Sequence, residues 1–418
     1  VLVPHPGIRP RTIFPLEFSG VIMQNGNCSA ILRRRMEFTS RFLQFPEGSF
    51  FLLGPRGTGK TWLTRNRFPD AIFVDLLDPE TMRALSARPE RLVEIIGGRT
   101  DARTVVIDEI QKIPELLQVV HSQIESGRGL QFVLTGSSAR KLRRAGVNLL
   151  GGRALNLSLH PFMAAELGNA FKLESALRAG MVPVVLGSVS PVDAARAYNA
   201  LYLREEVQAE GLVRNVGQYS RFLESMSFSH GSTLNLANVA RETQVNRKTV
   251  EGYLEIMEDL LIAFRVPVFS RRAARALAAH PKFYMFDAGM FRANRPVGPL
   301  DSSAEIDGAA LEGLVAQHLR AWCEYTAGGH RLYYWQTRSR VEVDFVVYGE
   351  KQFHAIEVKN CAQVRQEHLA SLKSFGQDYP EAGRWLLYRG SQRLLVDGVM
   401  CVPVEQFLVG LRPDSFPL

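Results

Sequence analysis

Eight consecutive residues, Gly54-Pro55-Arg56-Gly57-Thr58-Gly59-Lys60-Thr61, have the types and spacing to hold a polyphosphate. Glycines let backbone N–H groups converge on phosphate oxygens with no Cβ in the way. A helix opening at this point adds unpaired N–H groups and its dipole. Lys60 would reach the β- and γ-phosphates of ATP, and the Thr61 hydroxyl would hold Mg²⁺. With Trp62 in the same turn, Gly54 to Trp62 form the expected nucleotide-contacting set. Downstream, Thr104-Val105-Val106-Ile107-Asp108-Glu109 is a buried strand ending in two acids. Asp108 is expected to bind Mg²⁺ and Glu109 to polarise the water that attacks the γ-phosphate. A plain glycine turn and a pair of helix-capping acids are the bland alternatives. The two motifs together favour the chemistry.

Three further groups carry candidate chemistry. Phe132–Thr135 is a second buried strand, followed by Gly136-Ser137-Ser138. Ser137 could sense the γ-phosphate, although a Gly-Ser turn would look the same. In P-loop ATPases with a catalytic glutamate, such a strand lies between the phosphate-loop strand and the acidic strand. Arginines 140, 143, 144 and 153 follow. Arg153 is the candidate to reach a neighbouring copy's site and neutralise transition-state charge; the others suit a solvated surface or a phosphate backbone. In the middle of the chain, Leu234–Ala240 and Arg247–Leu261 have helical apolar spacing around the turn Gln244-Val245-Asn246, with Asn246 as N-cap. Strand-like stretches Ala263–Phe269 and Lys282–Phe286 after this pair predict a winged helix. There Arg247 and Lys248 would face the major groove or phosphates, unless the module serves protein contacts.

The last group is Glu312, Asp344, Glu357 and Lys359. Asp344 interrupts an apolar strand, and Glu357 and Lys359 share one face of the next. Acid, then acid-x-Lys, across a hairpin is the arrangement of the PD-(D/E)XK nuclease fold. Glu312, Asp344 and Glu357 would bind Mg²⁺, and Lys359 would activate water. The other reading is a buried ion pair of Asp344 with Lys359 in a fold without activity. Charges placed among Val, Phe and Ile need pairing or a cation either way.

The elements that must position these groups alternate strand and helix from Phe38 to about Pro161, which predicts a parallel sheet. Its strands are expected at Ser49–Leu53, Ala71–Leu76, Thr104–Asp108, Gln131–Thr135 and Ala154–Leu159, with helices at Thr61–Arg67, Pro79–Ala87, Pro89–Gly97 and Glu115–Ser126. Residues 162–227 are patterned as helices, including Pro191–Ala209. Asn294–Asp307 has loop composition, followed by helix Ala309–Tyr325 and strands Arg331–Gln336, Val341–Tyr348 and Phe353–Lys359. A helix Gln366–Phe375 and strands Arg384–Tyr388 and Val399–Val402 close the chain. The expected division is an extension over 1–35, a P-loop α/β domain over 36–161, a helical and winged-helix domain over 162–293, and a nuclease-like α/β domain over 294–418. The extension carries four prolines and Arg33-Arg34-Arg35, and Met36 is a candidate natural start.

Composition bounds the classes. The 418 residues are 46% hydrophobic and 22% charged, as in a globular protein with ample core. The formal net charge of +8 permits a nucleic-acid partner without demanding one. Four dispersed cysteines argue against a Cys-rich zinc site and suit a reducing, cytoplasmic setting. No apolar run has the length of a membrane span.

The motifs GPRGTGKT (54–61), VDLLDPE (74–80), VVIDEIQ (105–111) and LTGSSARKLRR (134–144) resemble the bacterial and archaeal AAA-superfamily ATPases that carry a C-terminal domain of unknown function. The likeness continues through LLGGRALNLSLHPF (149–162), TVEGYLEIMEDLLIAFRVPVFSR (249–271), KFYMFDAGM (282–290) and VEVDFVV with AIEVK (341–359). It implies ATP and Mg²⁺ as ligands and ATP hydrolysis. The expectation is an ATPase, active as a monomer or a homo-oligomer, coupled to DNA binding or cleavage. The alternative is an ATP-driven signalling switch whose nuclease-like end is inactive and binds nucleic acid or protein.

Overall fold

The computed structural model describes residues 39–138, 150–203, 213, 215–270, 280–413 and 415–417. The expected extension over 1–35 and Arg140, Arg143 and Arg144 lie outside the described residues, as does the end of the helix expected to reach Ala209.

Strands β1 (Ser49–Leu53), β2 (Ile72–Asp75), β3 (Thr104–Asp108), β4 (Gln131–Gly136) and β5 (Ala154–Ser158) form one parallel sheet of order β2-β3-β4-β1-β5. The central strands β1, β3 and β4 are apolar because both of their faces are covered. Phe50, Leu52, Val106 and Val133 point into one core, and Phe51, Leu53, Val105, Ile107, Phe132 and Leu134 into the other. The strand β4 lies between β1 and β3, so the phosphate loop, the Ser137 turn and the acid pair leave neighbouring strands at one sheet edge. Helices α1 (Lys60–Arg67), α2 (Pro79–Ala87), α3 (Arg91–Gly97) and α4 (Leu116–Glu125) connect them. Asp78 caps α2 by accepting from Thr81 N at 2.8 Å.

Short helices follow from Ala164 to Ala197, and Tyr198–Leu203 is a π-turn. The helix Val216–Phe228 leads to a helical pair, Leu236–Thr243 and Arg247–Asp259. Asn246 caps the second of the pair by accepting from Thr249 N at 2.8 Å, as its place in the turn predicts. Beside the pair lies a small antiparallel sheet, β6 (Ser232–Thr233), β8 (Lys282–Met285) and β7 (Ala263–Val266), in the order β6-β8-β7.

The C-terminal region holds a mixed six-stranded sheet of β9 (Arg331–Gln336), β10 (Glu342–Tyr348), β11 (Phe353–Lys359), β12 (Gly383–Tyr388), β13 (Leu394–Val396) and β14 (Val399–Pro403), in the order β13-β14-β12-β11-β10-β9. The helix Ser303–Tyr325 packs on one face. It begins six residues before the expected Ala309, within the stretch of loop composition. Ser302 caps it by accepting from Glu305 N at 3.4 Å, and this Ser-x-x-Glu signal outweighs the surrounding Gly and Asp. The β13 strand and a final helix, Val404–Gly410, have no counterpart among the expected elements. A bridge between Val268, two residues beyond β7, and Tyr334 of β9 joins the segment after the small sheet to the edge of the large one. A single apolar core runs from Phe50 through Phe222 and Tyr253 to Trp322, Leu387 and Phe407.

Candidate active site

The loop after β1 turns on two left-handed glycines, Gly57 at φ +75° and Gly59 at φ +91°. A Cβ on Gly54 would stand 2.5 Å from Leu159 O, so the first position also requires glycine. The carbonyls of Arg56, Gly57 and Thr58 are bound on the outside of the loop. Tyr198 Oη donates to Arg56 O at 2.9 Å, Val184 N to Gly57 O at 3.2 Å, and Arg41 Nη1 to Thr58 O at 3.2 Å. In a trans peptide the following N–H points the opposite way. The N–H groups of Gly57 and Gly59 are therefore aimed into the hollow of the loop. Lys60 is 5% exposed, and its Nζ donates to Gly54 O at 2.7 Å and to Pro55 O at 3.1 Å. The ammonium thus sits at the mouth of a ring of backbone dipoles. Thr58 Oγ1 closes the turn onto Pro55 O at 2.7 Å. Trp62 is 45% exposed in the first turn of α1.

Arg41 is the residue that braces this loop from behind. Its Nε pairs with Glu166 at 3.1 Å, its Nη2 donates to His160 O at 2.6 Å, and it stacks on Phe162 at 4.7 Å. Both charged side chains are buried, so either one alone would be costly.

Asp108 ends β3 and is 1% exposed. Its Oδ2 accepts from Thr61 Oγ1 at 2.7 Å, and its Oδ1 accepts from the Thr135 hydroxyl on β4. Thr135 Oγ1 also accepts from Glu109 N at 3.3 Å. Glu109 has φ +60°, which turns its side chain away from the line of the strand. Gln111 Nε2 donates to Glu109 Oε2 and to Ser137 Oγ, the second at 3.1 Å. Phosphate loop, acid pair and Ser137 are therefore brought together and linked by hydrogen bonds. The Thr61 and Asp108 oxygens form a hard donor set of two. That fits Mg²⁺ at a nucleotide site, where one or two protein oxygens suffice beside phosphate and water.

Arg153 is not part of this cluster. It immediately precedes β5, whose first residue, Ala154, pairs with the first residue of β1. It thus stands at the sheet edge opposite the phosphate loop, paired with Glu125 at the end of α4. Arg247 and Lys248 lie exposed at the start of their helix, and Arg247 pairs along it with Glu251 at 2.8 Å.

The C-terminal acids also converge, but around a different cation. Lys282, the first residue of β8, is 1% exposed. Its Nζ lies 2.5 Å from Glu342 Oε1, 3.1 Å from Glu312 Oε1 and 3.3 Å from Asp344 Oδ1. A β-bulge between Val343 and Val346 sets the aim of Asp344. Asp344 Oδ2 accepts from Val358 N at 2.9 Å, and Tyr284 Oη donates to Glu312 at 2.7 Å. Lys359 Nζ reaches Glu357 Oε1 at 2.6 Å. Burial and the charge of Asp344 push Glu357 up to about 8. Burial, with the same carboxylate nearby, pushes Glu312 up to about 7 against the pull of Lys282. For Lys282, burial favours loss of the proton, yet Glu312, Asp344 and Glu342 together hold it well above its usual range.

Two expectations meet a further set of partners here. Glu312, Asp344 and Glu357 were expected around Mg²⁺, but an ammonium occupies the middle of the cluster. Among the described residues no group of three acidic, His or Cys side chains is disposed to hold a metal. Lys359 was expected to activate water, and its ammonium pairs with Glu357. Sequence reasoning missed Arg41, Gln111, Thr135, Lys282 and Glu342. Gln111 and Thr135 lie inside the quoted motifs, and Glu342 stands two residues before Asp344. The only local hint for Lys282 is a lysine opening an apolar strand.

Residues 47–168 match a family model described as an AAA domain. Residues 172–301 and 307–407 match two domains of unknown function, DUF8612 and DUF4143. The first match supports an AAA-type P-loop ATPase domain at the N-terminal end, in keeping with the parallel sheet. No curated protein matches. Among solved structures, a Vibrio cholerae protein, VC1899, aligns at 12% identity over 82% of this chain and 90% of its own, with a TM-score of 0.17. No helix among the described residues is long and apolar enough to cross a membrane.

Proposed function

We propose that the chain binds ATP with Mg²⁺ in the loop between β1 and α1 and hydrolyses it. One observation carries this: both Asp108 oxygens are held by hydroxyls, Thr61 of the phosphate loop and Thr135 of the central strand, with Glu109 adjoining. The amides of Gly57 and Gly59 and the Lys60 ammonium would bind the β- and γ-phosphates. Thr61 and Asp108 would hold the metal, which supplies charge neutralisation between the phosphates when bound. Glu109 would accept hydrogen bonding from the attacking water, with its carboxylate held by Gln111. Ser137, on the same amide, would register the γ-phosphate. Arg153 cannot serve its own site from the far sheet edge, so any catalytic part for it lies between copies in a homo-oligomer. Lys60→Ala is expected to abolish nucleotide binding, and tight ATP binding by that protein would reject the reading.

A second reading concerns the other end, for which the sequence suggests winged-helix and PD-(D/E)XK nuclease-like character. The seating of Lys282 among Glu312, Glu342 and Asp344 favours an ATP-driven switch over a DNA-cutting enzyme. In this reading the middle and C-terminal parts grip DNA, with Arg247 and Lys248 on phosphates. Incubation of the full chain with linear, nicked and single-stranded DNA in Mg²⁺ or Mn²⁺ should leave every form intact. Binding should weaken steeply with salt. Cleavage lost in Asp344→Asn would restore the nuclease, and salt-insensitive indifference to DNA would point to a protein partner.

A further inference from the structure

Residues 158–166, which end β5 and open the next helix, are held from two sides. On one side is the phosphate loop. Leu159 N donates to Leu53 O at 2.7 Å, and Leu159 O closes on Gly54 so tightly that a Cβ there would stand 2.5 Å away. Arg41 completes that grip, its Nη1 donating to Thr58 O at 3.2 Å and its Nη2 to His160 O at 2.6 Å. Its partner Glu166 also accepts from Phe42 N at 2.8 Å and from Met163 N at 2.9 Å. A planar guanidinium fixed at so many points cannot shift without breaking one of them. On the other side is the helix Ser303–Tyr325. Tyr325 Oη accepts from His160 N at 3.0 Å, Glu324 Oε2 lies 2.9 Å from His160 Nε2, and His318 Nε2 accepts from Ala164 N at 2.8 Å. His318 and Tyr325 stand seven residues apart, about two helical turns, and so share a face. His160 is thus gripped through its carbonyl by the arginine of the phosphate loop, and through its N–H and ring by the C-terminal helix.

We propose that Arg41 is a positioning residue for the ATPase site and that, through His160, it couples the state of the phosphate loop to the C-terminal end of the helix Ser303–Tyr325. Arg41 holds Thr58 O outward, and the trans peptide then aims Gly59 N–H at the phosphates. Glu324 and Tyr325 hold the segment against which Arg41 is braced. Coupling of this kind is reciprocal. If nucleotide steadies the end of the helix, a ligand that draws on the helix changes nucleotide affinity by the same factor. The coupling rests on the reading of the loop as a nucleotide site, and it adds the route by which the other end of the chain is felt there.

The test is MgADP binding to the full-length chain by equilibrium dialysis, together with hydrogen exchange of the helix. In the parent, saturating MgADP should slow amide exchange over residues 318–325 by about fivefold or more, the lower end of ordinary coupling. Tyr325→Phe removes one oxygen outside the phosphate loop and should weaken MgADP binding by a similar factor. Tyr379→Phe makes the same change in the core on the other face of the large sheet, where the hydroxyl has no partner, and should leave affinity as it is. Arg41→Lys keeps a charge for Glu166 but loses the fork. At saturating MgADP it should show no slowing in the helix. Where that variant does not fold or does not bind, the parent and the two tyrosine variants carry the test. Unaltered exchange in the saturated parent, or equal affinity in the two tyrosine variants, would overturn the proposal and leave the nucleotide reading standing. A parent that binds no MgADP would reject both.

Discussion

Two acidic centres in this chain are built from similar parts and are satisfied in opposite ways. At the first, Asp108 is held by neutral hydroxyls from Thr61 and Thr135, which orient it and leave its negative charge uncancelled. At the second, Asp344 and Glu312 face the ammonium of Lys282, which cancels charge inside the protein. A buried carboxylate held by hydroxyls still attracts a cation, whereas one paired with lysine has already found one. The difference shows why acid spacing alone does not define a metal site. The side chain opposite the acids decides, and it can come from far along the chain.

The sharpest way to break this comparison is at Glu109. Glu109→Gln should keep nucleotide affinity while ATP turnover falls by about 10²–10⁴-fold, the usual range for losing a general base. Unchanged turnover in a phosphate-release assay would remove Glu109 from the chemistry. Next in size is Lys282→Ala. Breaking a buried pair by removing one partner costs about 3–5 kcal/mol, so urea unfolding should show a loss of that order. A loss below about 1 kcal/mol, the scale of an exposed pair, would mean that the cluster is open to solvent. Thr135→Val tests the other centre. It leaves Asp108 with one hydroxyl fewer and should cost about 1–3 kcal/mol of stability, together with weaker Mg²⁺-dependent nucleotide binding.

The smallest expected effect is a pH slope. Glu357 is held near 8 in the folded chain and Glu312 near 7, both above their ordinary range. A carboxyl with a raised folded value gives its full stability below its unfolded value and loses it as pH rises through the folded one. Stability should therefore decline between about pH 4.5 and pH 8 on this account. Glu357→Gln should flatten that decline in thermal melts. A slope unchanged by the substitution would exclude Glu357 as its source.

How much was legible in the sequence follows from the same contrast. The phosphate loop is contiguous, and its glycines, Lys60 and Thr61 declare their roles by order alone. β1, β3 and the helix Pro79–Ala87 were found to the residue because apolar runs and caps are local signals. The start of the helix at Ser303 was obscured by loop-like composition, although Ser302 and Glu305 marked it. Lys282 was hidden by distance. It stands 30 residues before Glu312 and 62 before Asp344, so only the folding of β8 against the large sheet joins them. The bulge at Asp344 was equally silent, because simple alternation would put Val343 and Phe345 on one face, yet they enter different cores.

The continuous apolar core described above leaves no seam among the described residues from Ser40 onward. Phe283 and Met285 of the small sheet share it with Trp322 and Leu387 of the C-terminal region and with Phe50 beneath the phosphate loop. A fragment ending near residue 293 would bare oily surface on both pieces. Proteolysis should therefore yield either the intact body or small peptides, and the two ends should melt together in a single calorimetric transition.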